Sequence, residues 1–132
     1  MKDETLLKAA TGFTGGIGGM RDACGGLTGA VMMLGIAFGR GRRDLKSRDK
    51  IMATNIRVGK LYKWFEKEFG SATCYDIRTR FGGGAYYDIH VPWQAELAEQ
   101  AGVMDKCKDL VRRTTARTTE LLSESEEPEK KD

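Results

Sequence analysis

The chain is short of the residues that mark several chemistries. It has one histidine, His90, two prolines and three cysteines. A lone histidine with no evident serine and carboxylate partners leaves no Ser-His-Asp constellation to defend. No Gly-Lys-Ser/Thr occurs, so a P-loop is absent, and the glycine spacing does not fit the dinucleotide fingerprint. No close carboxylate pair suggests glycoside or metal hydrolysis. Cys24, Cys74 and Cys107 are odd in number, widely spaced and without CxxC, which argues against a disulfide framework and a zinc ribbon alike. Long apolar runs are missing too. The stretch 30–38 is too short to span a bilayer. The start, Met1-Lys2-Asp3-Glu4, is charged, with no secretory apolar segment behind it. The expectation is a cytoplasmic protein whose thiols stay reduced.

What is present suits one soluble domain. A chain of 132 residues with 40% hydrophobic and 31% charged side chains can bury a core. A net charge of +3 is too small to argue for nucleic acid or a membrane surface. The most basic stretch, residues 39–50, has no interleaved aromatics and is diluted by Asp44 and Asp49, so it reads as a solvated connection.

Residues 11–40 organise the rest. They open on a glycine-rich turn and continue as the most apolar, least charged segment of the chain. Before them, residues 3–10 predict a short helix capped by Asp3 or Thr5 and closed by Gly12 in the left-handed conformation. Phe13 and Ile17 are the turn's only large apolar groups and are expected to plug it into the core. Glycine loops before helices can hold phosphate, but no strand precedes this one, and a packing turn is the simpler reading. The same absence of side chains would let backbone approach a cofactor, with Gly18, Gly19 and Gly25 as the positions concerned.

The central helix is expected to begin at residues 20–22, which puts Cys24 in its first turn. There the helix dipole favours the thiolate. Gly25, Gly26, Gly29 and Ala30 leave one side of this helix bare, while Leu27, Val31, Met32, Leu34, Ile36 and Phe38 fill the rest, so it should be buried nearly all round. Two readings fit: a tight helix crossing with Cys24 as a small core residue, or backbone cleared for a ligand beside a thiolate.

Residues 49–69 carry the clearest amphipathic pattern, with Ile51, Val58, Leu61, Tyr62, Phe65 and Phe69 on the apolar side and Lys60, Lys63, Glu66 and Lys67 on the wet side. Gly70 ends it, and Ser71 or Thr73 caps a short helix over 74–80 that starts at Cys74. Residues 81–93 read as an irregular aromatic loop in which His90 is structural. Residues 93–102 suggest a short helix. A last helix opens near Asp105 with Cys107 in its first turn, and Thr114 to Thr119 weaken its apolar pattern. The fold class is all-α: a small helical bundle, residues 1–122, with a central glycine-faced helix, then an acidic disordered tail, 123–132.

Three cysteines near three helix starts suit a shared thiolate site, and softness favours iron or zinc over magnesium or calcium. Here the residues carry a resemblance. GFTGGIGGMRDACGGLTGAVMMLGIAFGR, then FEKEFGSATCYDIR, then the single Cys107 resemble the family named for its cysteine pattern, C_GCAxxG_C_C, over residues 6–115. The resemblance implies a small helical domain with a four-cysteine, redox-active site, holding an iron–sulfur cluster or exchanging its thiols. Cys24, Cys74 and Cys107 carry over as redox thiols and metal ligands. The family's further cysteine, on a helix upstream of the turn, has no counterpart here. His90, a partner subunit or an exogenous ligand would have to complete a four-ligand cluster. The expected partners are a redox protein and a second copy of the chain, which would cover the apolar face left without that helix. The alternative is a structural or interaction subunit in which the cysteine site has degenerated.

Overall fold

The computed structural model describes residues 3–124. Six α-helices succeed one another, and among the described residues no strand forms. The first, α1 (Glu4–Thr11), starts where the Asp3 carboxylate accepts from the amides of Thr5 and Leu6, which satisfies two of the orphan donors of a helix start. Gly12 stays right-handed, contrary to expectation. Positive φ is deferred to Gly15, Gly16, Ile17, Gly18, Gly19 and Arg21, a coil of consecutive tight turns. Phe13 is half-buried in it, whereas Ile17 is 44% exposed and does not plug into the core.

The second helix, α2 (Gly25–Phe38), begins later than residues 20–22. Arg21 is left-handed, and Ala23 forms an antiparallel bridge with Thr73, so the chain stays extended until Cys24. Cys24 is therefore the N-cap residue and lies just ahead of the first turn. Leu27, Ala30 and Leu34 are buried, but Met33 and Ile36 are exposed, so all-round burial is corrected to burial along one side.

After a short 3-10 turn, Arg42–Asp44, comes α3 (Arg48–Phe69), capped by the Ser47 hydroxyl and closed by Gly70 at φ +79°. Its inner stripe is Arg57, Leu61, Phe65 and Phe69, a strict four-residue spacing, while Tyr62 faces outward. Lys60, expected on the wet side, is largely covered and pairs with Glu124 at 3.6 Å. The fourth helix, α4 (Cys74–Phe81), is capped by the Thr73 hydroxyl, which accepts from the Asp76 amide at 3.2 Å. The aromatic loop comes next, with Tyr86 stacked on Tyr75 at 5.2 Å between ring centroids.

The last two helices are α5 (Pro92–Gln100) and α6 (Val103–Ser123). Gly102, left-handed, sets the start of α6 two residues before Asp105, so Cys107 falls past the first turn. The threonines do not interrupt this helix. Thr114 and Thr118 are buried, and their hydroxyls donate to the carbonyls of Leu110 and Thr114 at 2.7 Å, which removes the cost of burying them. The core forms where α2 packs on α3 and α6, with Leu34, Leu61, Phe65, Leu110 and Leu121 at its centre; α4 and α5 lean on α6. The boundary expected at residue 122 moves slightly: α6 runs through Ser123, and Glu124 accepts from Arg117. The rest of the expected tail, 125–132, lies outside the described residues. Among the described residues no helix is long and apolar enough to cross a membrane.

Candidate redox site at three cysteines

The Ala23–Thr73 bridge creates the site. It joins the segments leading into α2 and α4, and both cysteine amides are spent on it. Cys24 N–H donates to the Ala72 carbonyl at 2.8 Å, and Cys74 N–H donates to the Asp22 carbonyl at 2.7 Å. Side chains alternate across an extended pair, so residues one step beyond each bridging partner lie on the same face. Cys24 and Cys74 are those residues. The third thiol comes from α6. Gly26 allows that helix to approach: a Cβ there would sit 2.8 Å from Leu110 Cδ2, 3.4 Å from Val111 Cγ2 and 3.7 Å from Cys24 Sγ.

All three thiols face one cavity of about 330 Å³. Its walls are mostly apolar, from Ile77, Ile89, Met104, Leu110 and Val111, and the cation among them is Arg78. All three cysteines are free; Cys74 is buried, and Cys24 and Cys107 are half-buried. Of the glycines expected at a cofactor, Gly25 lines the cavity. Gly18 and Gly19 do not; Gly15, Gly16 and Gly26 stand there instead. Gly19 lies under His90. His90 itself is exposed, bonds Asp88 at 3.1 Å and does not line the cavity, so it does not complete the cysteine set in this arrangement.

The electrostatics correct the expected easy thiolates. Burial pushes the Cys74 thiol up; the Arg78 guanidinium pulls it back, and the neighbouring Cys24 and Cys107 push it further up. Burial likewise raises Cys107, against the charge of Arg78. Desolvation thus outweighs the pull of Arg78 at both sulfurs. Arg78 is absent from the set of residues that the cysteine pattern selects. A signal for it exists in the sequence, because an arginine four residues after Cys74 lies on the same side of α4.

A small all-α domain built around a thiol-lined, arginine-bearing cavity is the class of protein defined by this fold and site. The chain belongs to the family described as "Putative redox-active protein (C_GCAxxG_C_C)", which matches residues 1–121. No curated protein and no solved structure matches it.

Proposed function

We propose that this chain is a small thiol-based redox protein in which Cys24, Cys74 and Cys107 work as one site. The convergence of the three thiols on one cavity, from segments far apart in sequence, carries this reading. Among the described residues no three His, Cys, Asp or Glu side chains form a group that could hold a metal ion as they stand. The three cysteines lining one cavity are soft donors, and softness favours an iron–sulfur centre over a hard cation there. Cys24, Cys74 and Cys107 would hold it, and the centre would supply one-electron transfer. Arg78 would offset its negative charge, and a fourth ligand would come from outside the cavity. No oxidoreductase substrate pocket separate from this cavity is needed for that role.

The placement of Cys24 and Cys74 on one face of the bridge favours a second chemistry, thiol–disulfide exchange. Their oxidation to a disulfide releases two protons and two electrons to an oxidised partner disulfide.

Iron and acid-labile sulfide, measured with the visible spectrum on protein purified without oxygen, separate the two. Stoichiometric iron and sulfide support the cluster. A colourless, metal-free chain whose free thiols fall from three to one on mild oxidation supports exchange. A metal-free chain that keeps all three thiols through the same oxidation overturns the redox reading and leaves a structural role.

A further inference from the structure

Arg78 has an unusual setting. Other arginines of the fold meet carboxylates or carbonyls: Arg21 pairs with Asp88, Arg112 with Asp109, Arg113 with Glu68, Arg117 with Glu120 and Glu124, and Arg80 donates to the Phe69 carbonyl. Arg78 lines an apolar cavity to which, among the described residues, no carboxylate contributes. The charges that act on it there are those of Cys74, Cys107 and Tyr86. A guanidinium carries five donors in a fixed fork matched to planar or tetrahedral anions. Thiols use little of that capacity. Burial works against the Arg78 charge and the neighbouring Cys74, Cys107 and Tyr86 support it, and an entering anion would add to that support.

We infer that the thiol cavity is an anion-binding site with Arg78 as its recognition residue, so that the small molecule or centre that meets the three thiols carries negative charge. The inference rests on the redox reading only for the chemistry after binding; the recognition itself needs no electron transfer. The cavity, at about 330 Å³, has room for a small oxyanion beside the thiols. Arg78 and Cys107 line the same cavity, so an anion held on the guanidinium lies beside the thiols. The site therefore selects by charge before chemistry begins.

The test uses two alkylating agents of nearly equal size, anionic iodoacetate and neutral iodoacetamide, on the intact, reduced, metal-free chain at low ionic strength. Modification of each cysteine is tracked by mass spectrometry. The ratio of the two rates at Cys107, referred to the same ratio for glutathione, reports the charge preference of the cavity. A change in thiolate fraction acts on both reagents and cancels in the ratio. The expected ratio exceeds the reference by about tenfold, in line with one charge-assisted contact in a sheltered site. Arg78→Gln should return it to the reference, and Arg78→Lys should keep most of it. Inorganic phosphate at millimolar concentration should slow iodoacetate at Cys107 in the unaltered chain. A ratio at the reference value, or no protection by phosphate, overturns the inference, and neither needs a variant that folds. The redox reading fails separately. Charge preference without metal or thiol oxidation keeps the anion site and removes the redox role; the reverse result removes the anion site alone.

Discussion

Gly16 and Asp22 are locked together: a Cβ on Gly16 would lie 2.5 Å from the Asp22 amide nitrogen and 2.7 Å from its carbonyl oxygen. The Asp22 amide donates to the Gly16 carbonyl at 2.9 Å, and Gly16 has φ +75°. The contact folds the glycine coil back onto the segment that forms the bridge with Thr73. Gly16→Ala would add a left-handed penalty to a clash with backbone, which has no flexible end to yield. A loss of about 3 kcal/mol is expected. Gly18 is the control, being left-handed at +58° with open space around it, so Gly18→Ala should cost about 1 kcal/mol. Urea melts of the two variants decide whether close approach, and not merely φ, sets the requirement at Gly16.

Cys24→Ser and Cys74→Ser should each abolish the iron content or the thiol redox response, and Cys107→Ser the iron content, while far-UV circular dichroism keeps the helix content. If iron survives in any one of them, or the thiol response survives in Cys24→Ser or Cys74→Ser, that cysteine is not part of the working set.

The buried Cys74 thiol gives a pH dependence of definite sign. Burial raises its folded pKa, against the pull of Arg78. The fold therefore favours the protonated form. This contribution is complete below the ordinary thiol range, about pH 8.5, and fades as pH rises through the raised folded value. Stability of the reduced, metal-free chain should decline across that alkaline window more steeply than in Cys74→Ala. Parallel declines in the two would show that Cys74 is not the group responsible.

Asp76 supplies the acid counterpart. The Ser71 hydroxyl donates to its carboxylate at 2.8 Å, and the Thr73 hydroxyl adds to the effect, which holds the Asp76 pKa below the ordinary carboxylate value. Its stabilisation is present above about pH 4 and is lost as pH falls through the lowered folded value. Ser71→Ala should move the Asp76 titration, monitored by NMR, upward toward the ordinary carboxylate value. An unmoved titration would assign the lowering to another group.

The helices are readable where one residue type dominates a stripe. Leu61, Phe65 and Phe69 mark the inner face of α3 plainly, and Gly70 marks its end. The same stripe also contains Arg57, which no apolar pattern selects. It is buried because its guanidinium lies over the Phe38 ring, 3.6 Å from the centroid, and donates to the Ala53 and Glu124 carbonyls. Periodicity places Tyr62 inside, yet it points out. The start of α2 is misread from local signals because Asp22 is a favourable first-turn residue, while its carbonyl is taken by Cys74 from another part of the chain. Burial of Thr114 and Thr118 depends on bonds inside their own helix. At the site, the three cysteines are legible as a set through their spacing in a family pattern. Their convergence is not, since it depends on a single bridge between distant segments. The glycine turn is recognisable as a unit, but which glycines reach the cavity depends on how the coil winds, and that places Gly15 and Gly16 there instead of Gly18 and Gly19.

The Ala23–Thr73 bridge also bears on the history of the thiols. All of α2 and α3 lies between Cys24 and Cys74, so in an unfolded chain the two sulfurs meet only at the low local concentration of a long loop's ends. Folding raises that concentration sharply by fastening the loop at its neck. A bond or a shared centre linking these sulfurs would therefore be a record of completed folding, and oxidation that strikes the chain during synthesis would leave a different pattern of pairs from oxidation that strikes the finished protein.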